Sequence, residues 1–86
     1  MSNKNKLTNL QNLILTIWES QLDITKIELD DDFFDLGGHS LKLINVLDLF
    51  HTNEHYPVLK KLKIMDLFEH TTIETLSDYL LTLETK

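Results

Sequence analysis

Between Leu7 and Leu22 the apolar residues fall at Leu10, Leu13, Ile14, Ile17 and Trp18, the i, i+3, i+4, i+7, i+8 spacing of a helix with one buried stripe. The period then disappears over residues 23–39, which are rich in Asp and hold both glycines. It returns after Ser40 with Leu43, Val46, Leu47 and Phe50, and Asn53 and Pro57 close that helix. A short helical turn carries Ile64, Leu67 and Phe68, and a last helix sets Ile73, Leu76, Leu80 and Leu83 on one face. Its start has two candidate signals, Thr71-x-x-Glu74 and the hydroxyl of Thr72. No strand alternation competes with these patterns. The spacing predicts an all-α four-helix bundle, three longer helices and one short third helix, over about 7–22, 40–52, 62–69 and 72–84.

The first connection is the anomaly. It lies near the upper limit for a structureless loop in a compact domain, a length usually tied to function or disorder. Phe33, Phe34 and Leu36 argue against disorder, and at least one phenylalanine and Leu36 are expected to bury and pin the loop across the bundle. A pinned loop ending in Gly37-Gly38 would deliver His39 and Ser40 to a fixed place.

Composition narrows the functions available. Eighty-six residues make one small domain with little room for a deep catalytic cleft. With no cysteine there is no disulfide framework, no thiolate metal site and no encoded thiol nucleophile. The net charge is −6, and seven of the fourteen acids lie within 19–35, opposed only by Lys26. That sign disfavours nucleic acid and anionic membranes. No apolar run reaches membrane-spanning length and no signal-peptide core is present, so the expected compartment is the cytoplasm. Both ends lie close to the helical unit without linker composition, which leads us to expect a free-standing, monomeric domain.

Ser40 stands where a helix N-cap belongs, and taken alone it need be nothing more, a cap being worth about 1 kcal/mol. A catalytic reading is poor: the nucleophile elbow G-x-S-x-G is not completed by Leu41-Lys42, and a sequence-adjacent His39 is not aimed as a triad base. A modified serine is the third reading, since a helix N-terminus favours an added phosphate and the glycines leave room for a modifying enzyme. Elsewhere, His51-Thr52-Asn53-Glu54-His55 matches the short H-x-x-E-H zinc pattern without a third ligand at a defined place. Asp30, Asp31, Asp32 and Asp35 lack the glycine and final glutamate of a calcium loop. Solvated polar residues are the favoured reading for both groups. Lys60, Lys61 and Lys63 read likewise as a solvated face, and Trp18 as core.

The run Asp32-Phe33-Phe34-Asp35-Leu36-Gly37-Gly38-His39-Ser40-Leu41 resembles the pantetheine-attachment motif of peptidyl carrier proteins, the thiolation domains of nonribosomal peptide synthesis. The resemblance extends to Ile17-Trp18, to Asp66-Leu67-Phe68-Glu69-His70 and to Thr72-Ile73 with Leu76, covering nearly the whole chain in order. It implies an acyl-carrier-protein-like fold and a non-catalytic carrier. It further implies that a phosphopantetheinyl transferase moves 4′-phosphopantetheine from coenzyme A onto Ser40, flanked by Gly37, Gly38 and His39. Adenylation, condensation, tailoring or thioesterase enzymes are then the implied partners. Thr71 and Lys63 stand where that family often has proline, and 51–61 (HTNEHYPVLKK) lengthens the stretch from Ser40 to Phe68. A fatty-acid-type acyl carrier commonly opens with Asp-Ser-Leu and bears an acidic recognition helix, whereas residues 41–50 here hold one acid, Asp48, and one base, Lys42. An acyl carrier of another thioester pathway and an unmodified helical interaction module remain the alternatives. Leu41 and Ile44 lie off the buried stripe, so they are expected to form an apolar partner contact with Met65, rimmed by Lys42, Asn45 and Asp48.

Overall fold

The structure, a computed structural model, describes residues 8–84. Thr8 and Gln11 start helix α1 (Asn9–Leu22) by capping each other: the Gln11 N–H donates to Thr8 Oγ1 at 3.0 Å and the Thr8 N–H to Gln11 Oε1 at 3.1 Å. Leu7, the expected first residue of this helix, lies outside the described residues. Leu10, Ile14, Ile17, Trp18 and Leu22 form the buried stripe, with Leu13 half-buried beside it. Asp23 ends the helix in the left-handed region, φ 57°, and its N–H returns to the Glu19 carbonyl at 2.9 Å.

Helix α2 (Ser40–His51) buries Leu43, Val46 and Phe50, while Leu47 is only half-buried at the edge of the same stripe. The helix ends at His51, one residue short of the expected end, and Thr52 is its cap. The turn after it is built by Asn53, whose Oδ1 accepts the N–H groups of His55 and Tyr56. Pro57 then opens a 3₁₀ turn, Pro57–Lys61, that the hydrophobic pattern did not predict. This turn drives Val58 and Leu59 into the core, so the lengthened stretch 51–61 is packed structure. Leu62 was expected inside the third helix but is extended, φ −68° and ψ 141°, with its side chain buried.

Helix α3 (Ile64–Glu69) therefore begins two residues later than the spacing suggests. Asp66 holds its start by accepting the Lys63 N–H at 2.9 Å, and through Oδ1 it also accepts the Tyr79 hydroxyl of the last helix at 3.1 Å. Helix α4 (Ile73–Glu84) is opened by Thr72, whose Oγ1 accepts the Thr75 N–H at 3.0 Å. Of the two candidate start signals, Thr72 is the one used. Ile73, Leu76 and Leu80 are buried and Leu83 is half-buried.

The architecture is the expected all-α bundle, with α1 packed on α2 and α4, and α2 on α3. The long loop 23–39 crosses it and is fastened at its centre by Phe33, which is fully buried. Phe33 meets Trp18 edge-on, ring centroids 5.0 Å apart, and its N–H donates to the Thr71 carbonyl at 2.8 Å. Leu29 adds a second tie, its carbonyl accepting the Glu74 N–H at 3.0 Å. The expectation for Leu36 needs correcting: it is only half-buried, because the turn after Phe33 carries it along the surface of the core. Phe33→Ala should therefore cost about 3–5 kcal/mol. A thermal melt should fall by at least about 12 °C; a melt within a few degrees of wild type would show that the loop is held elsewhere.

Candidate functional site

Four backbone hydrogen bonds shape the end of the loop. The Leu36 N–H donates to the Asp32 carbonyl, Gly37 to Phe34, and Gly38 to Phe33 at 3.0 Å, while the Asp31 N–H reaches the Glu28 carbonyl upstream. Gly37 sits at φ +103°, where any other L-residue would be strained. Gly38 has a different reason to be glycine. A Cβ built there would overlap the Phe33 ring and approach the Phe33 carbonyl oxygen to 2.8 Å. The chain thus lies directly on the buried phenyl ring as it leaves the loop.

Asp32 holds that turn from below. Its Oδ1 accepts the Phe34 N–H at 2.9 Å and the Asp35 N–H at 3.3 Å, and its Oδ2 accepts the Thr71 hydroxyl at 2.5 Å. The Thr71 bond, aided by the two backbone N–H groups against a smaller opposing effect of burial, keeps this carboxyl below its ordinary pKa. Thr71 stands where the resembling family often has proline. Here it supplies a hydroxyl donor that proline lacks. Asp31 is used as well, accepting the Glu28 N–H at 2.8 Å, so the aspartates at 31 and 32 are turn-makers rather than simply solvated.

His39 takes the cap position of α2 in extended conformation, φ −149°, and its carbonyl accepts the Leu43 N–H. Ser40 is therefore the first helical residue and not the cap that its sequence position suggested. The Gly38 contact with Phe33 sets the chain direction, and the extended residue needed before the helix falls on His39. Ser40 is exposed, and its hydroxyl makes no hydrogen bond among the described residues. Helices α1 and α4 begin on threonine caps, whereas no side chain covers the start of α2. A free hydroxyl beside uncapped N–H groups at the positive end of a helix is an arrangement suited to a phosphate ester.

Leu41 and Ile44, one and four residues after Ser40 on α2, are 62 % and 53 % exposed, and Met65 on α3 is 60 % exposed. Asn45 and Asp48 are exposed on the same helix. Lys42 is different: it is half-buried, and its Nζ donates to the Gln21 carbonyl at 2.6 Å. It places a cation on the C-terminus of α1, which has no basic residue in its own last turn, and so serves as an anchor rather than a free rim charge. Sequence spacing did not announce that Phe34 and Phe68 meet: both are partly exposed, and their rings stack at 6.0 Å with planes 15° apart. The His51–His55 pattern is not assembled as a ligand pair, since His51 Nε2 lies 2.7 Å from the Leu62 carbonyl oxygen. Among the described residues no group of three His, Cys, Asp or Glu could hold a metal, and no helix is long and apolar enough to cross a membrane.

Residues 12–80 match the family described as PP-binding, phosphopantetheine attachment site. The chain belongs to this family, whose members hold 4′-phosphopantetheine covalently and act as carriers, not catalysts. It is 38 % identical over 72 residues to surfactin synthase subunit 2 of Bacillus subtilis (strain 168), covering 84 % of this chain and 2 % of that protein. It is 42 % identical over 64 residues to tyrocidine synthase 3 of Brevibacillus parabrevis, covering 74 % and 1 %. The chain thus spans only 1–2 % of the length of these relatives. Among solved structures it resembles the McyG A-PCP complexed with phenylalanyl-adenylate, with a TM-score of 0.76 and 27 % identity over 91 % of this chain and 12 % of that one. It also resembles the docking domain complex PaxA T1-CDD/PaxB NDD of the Pax NRPS, TM-score 0.75 and 25 % identity, over 90 % and 70 %. The residues present fit the family's group: a free serine hydroxyl, an uncapped helix start, and two glycines with no side chain to crowd it.

The hydrogen bonds to Asp32 give the loop a pH dependence. A carboxyl with a lowered folded-state pKa contributes stability that is complete above its ordinary value and is lost as pH falls through the lowered one. Thr71→Val removes the donor at nearly constant shape. Its stability deficit should be clear at pH 7 and shrink as the pH drops through the carboxylate range, followed by urea unfolding at each pH. A deficit independent of pH would remove this role from Asp32.

Proposed function

We propose that the protein is a peptidyl carrier domain of nonribosomal peptide synthesis and that Ser40 is its attachment residue. The observation that carries this reading is the exposed, unbonded Ser40 hydroxyl at the uncapped start of α2, set on a loop fastened by Phe33. A phosphopantetheinyl transferase would join Ser40 Oγ to the phosphorus of coenzyme A that bears pantetheine. The pyrophosphate P–O bond breaks, adenosine 3′,5′-bisphosphate leaves, and the serine proton passes to solvent. The attached arm ends in a thiol that holds an aminoacyl or peptidyl cargo as a thioester, supplying the sulfur this cysteine-free chain lacks.

The chain's own residues present that serine. Gly38 must lie on the Phe33 ring, Asp32 and Thr71 lock the turn beneath it, and Lys42 ties the first turn of α2 to α1. Leu41, Ile44 and Met65 form a small apolar patch beside Ser40, rimmed by Asn45 and Asp48, for synthetase partners such as an adenylation enzyme. Transient interfaces draw much of their affinity from a few such residues. A monomer working in the cytoplasm fits this role.

Incubation with coenzyme A and a broad-specificity transferase should add one 4′-phosphopantetheine by intact mass, and Ser40→Ala should abolish the addition. The alanine variant should stay within about 0.5 kcal/mol of wild type, because Ser40 makes no capping bond to lose. Modification of that variant would place the attachment elsewhere. The two faces of α2 separate core from interface. Ile44→Asp should cost less than about 1 kcal/mol yet slow loading by the cognate adenylation enzyme. Val46→Asp, at a fully buried position, should unfold the domain. Equal and large losses of stability would return Ile44 to the core.

A further inference from the structure

Phe34 and Phe68 come from different segments, the long loop and α3, yet their rings stack at 6.0 Å, and each keeps more than a third of its surface exposed. Neither is needed to fill the core, which Phe33 and Leu67 occupy from the neighbouring positions. Phe34 meets the buried Phe33 ring edge-on at 5.8 Å, and that ring is the one on which Gly38 lies. A continuous aromatic row, Trp18, Phe33, Phe34 and Phe68, therefore runs from the core to the surface and passes beneath the residues that lead into Ser40.

From this juxtaposition we propose that the Phe34–Phe68 pair is a resting place for the pantetheine arm and for apolar cargo attached to it. The proposal rests on Ser40 being the attachment residue. The pair is preorganised. Phe34 is fixed by its N–H bond to Asp32 and its carbonyl bond from Gly37, and Phe68 by the adjoining turn of α3, so little ordering is needed on contact. Tethering makes a weak contact sufficient. A short flexible tether gives an effective concentration in the millimolar range, so a contact with a dissociation constant of about 1 mM is roughly half populated. Such a contact shields the arm part of the time and still surrenders it to a partner enzyme. Aromatic edges and faces favour apolar groups, so the resting population rises with apolar acyl cargo and falls with polar cargo. Phe68 stands three residues after Met65 on α3, so the pair borders Met65 and is carried by other segments than Leu41 and Ile44 of α2.

The test uses the full chain, isotope-labelled and modified by a transferase with coenzyme A, acetyl-coenzyme A or phenylacetyl-coenzyme A. Intact mass establishes complete modification in each sample. The expected result is nuclear Overhauser contacts from the geminal methyls of the arm to ring protons of Phe34 and Phe68. Amide shift changes at Phe68 should be at least twofold larger with phenylacetyl than with acetyl cargo. Phe34→Ser and Phe68→Ser, one in each segment, should each take up the arm fully by mass and lose at least half of the shift change at the remaining partner. Complete modification with no contact to either ring, or changes confined to residues 37–43, would overturn the resting place and leave the attachment residue standing. No mass increase on the wild-type chain would overturn the attachment reading, and this proposal with it.

Discussion

The position of Ser40 depends on one steric fact: the chain has to pass over the buried Phe33 ring with no side chain at Gly38. A phenyl ring that is fully buried has no freedom to yield, since Trp18 stands against it and its own backbone is bonded to Thr71. Whatever rests on that ring inherits its placement from the core. The loop therefore behaves as an extension of the bundle over its last few residues, although it contains no helix or strand. Asp32 and Thr71 add polar closure from the α3–α4 connection, so two segments distant in sequence converge beneath one turn.

The start of α2 gives up stabilisation for access. The other long helices begin on threonine hydroxyls that satisfy their first N–H groups, each worth about 1 kcal/mol. Helix α2 begins on His39, whose side chain makes no such bond, and the adjacent Ser40 hydroxyl is likewise uncommitted. Tethering stands in for capping: Lys42 in the first turn reaches across to the Gln21 carbonyl and links α2 to α1. The Lys42 cation thus sits at the negative end of α1 and ties the first turn of α2 to it. The N–H groups at the start of α2 stay open without a side-chain cap, which suits the phosphate ester proposed for Ser40.

Much of this was legible in the sequence because each long helix has one clean stripe, and Ile14, Trp18, Val46, Phe50, Leu76 and Leu80 fell on it. The motif around Ser40 was legible for the same reason, being continuous. What escaped depended on tertiary contacts. The 3₁₀ turn at Pro57–Lys61 buries Val58 and Leu59 without any helical period to announce them. Thr71 looked like a departure from proline until Asp32, 39 positions away, came within hydrogen-bond distance. Lys42 read as a surface charge because sequence spacing says nothing about the α1 carbonyl it meets. The Thr8-x-x-Gln11 box was present in the sequence as a start signal and went unread. The shift of the cap from Ser40 to His39 is a single residue, within the usual latitude of helix ends. It still decides whether the serine hydroxyl is occupied or free.

A carrier of this size cannot build a selective pocket and a core from the same side chains, and the residues divide accordingly. One stripe of α2 faces inward with Leu43, Val46 and Phe50, while Leu41 and Ile44 lie off it and are exposed. Leu41 and Ile44 are not buried in the core, and on a chain of net charge −6 they are flanked by the polar Lys42, Asn45 and Asp48. On the proposed role, selectivity falls to the partner enzymes, and sulfur chemistry to a group the cysteine-free chain does not encode. What the chain must supply is a serine whose place does not wander. On the proposed role of Ser40, that requirement is met by the contact of Gly38 with Phe33, which stands two residues before the serine and not on it.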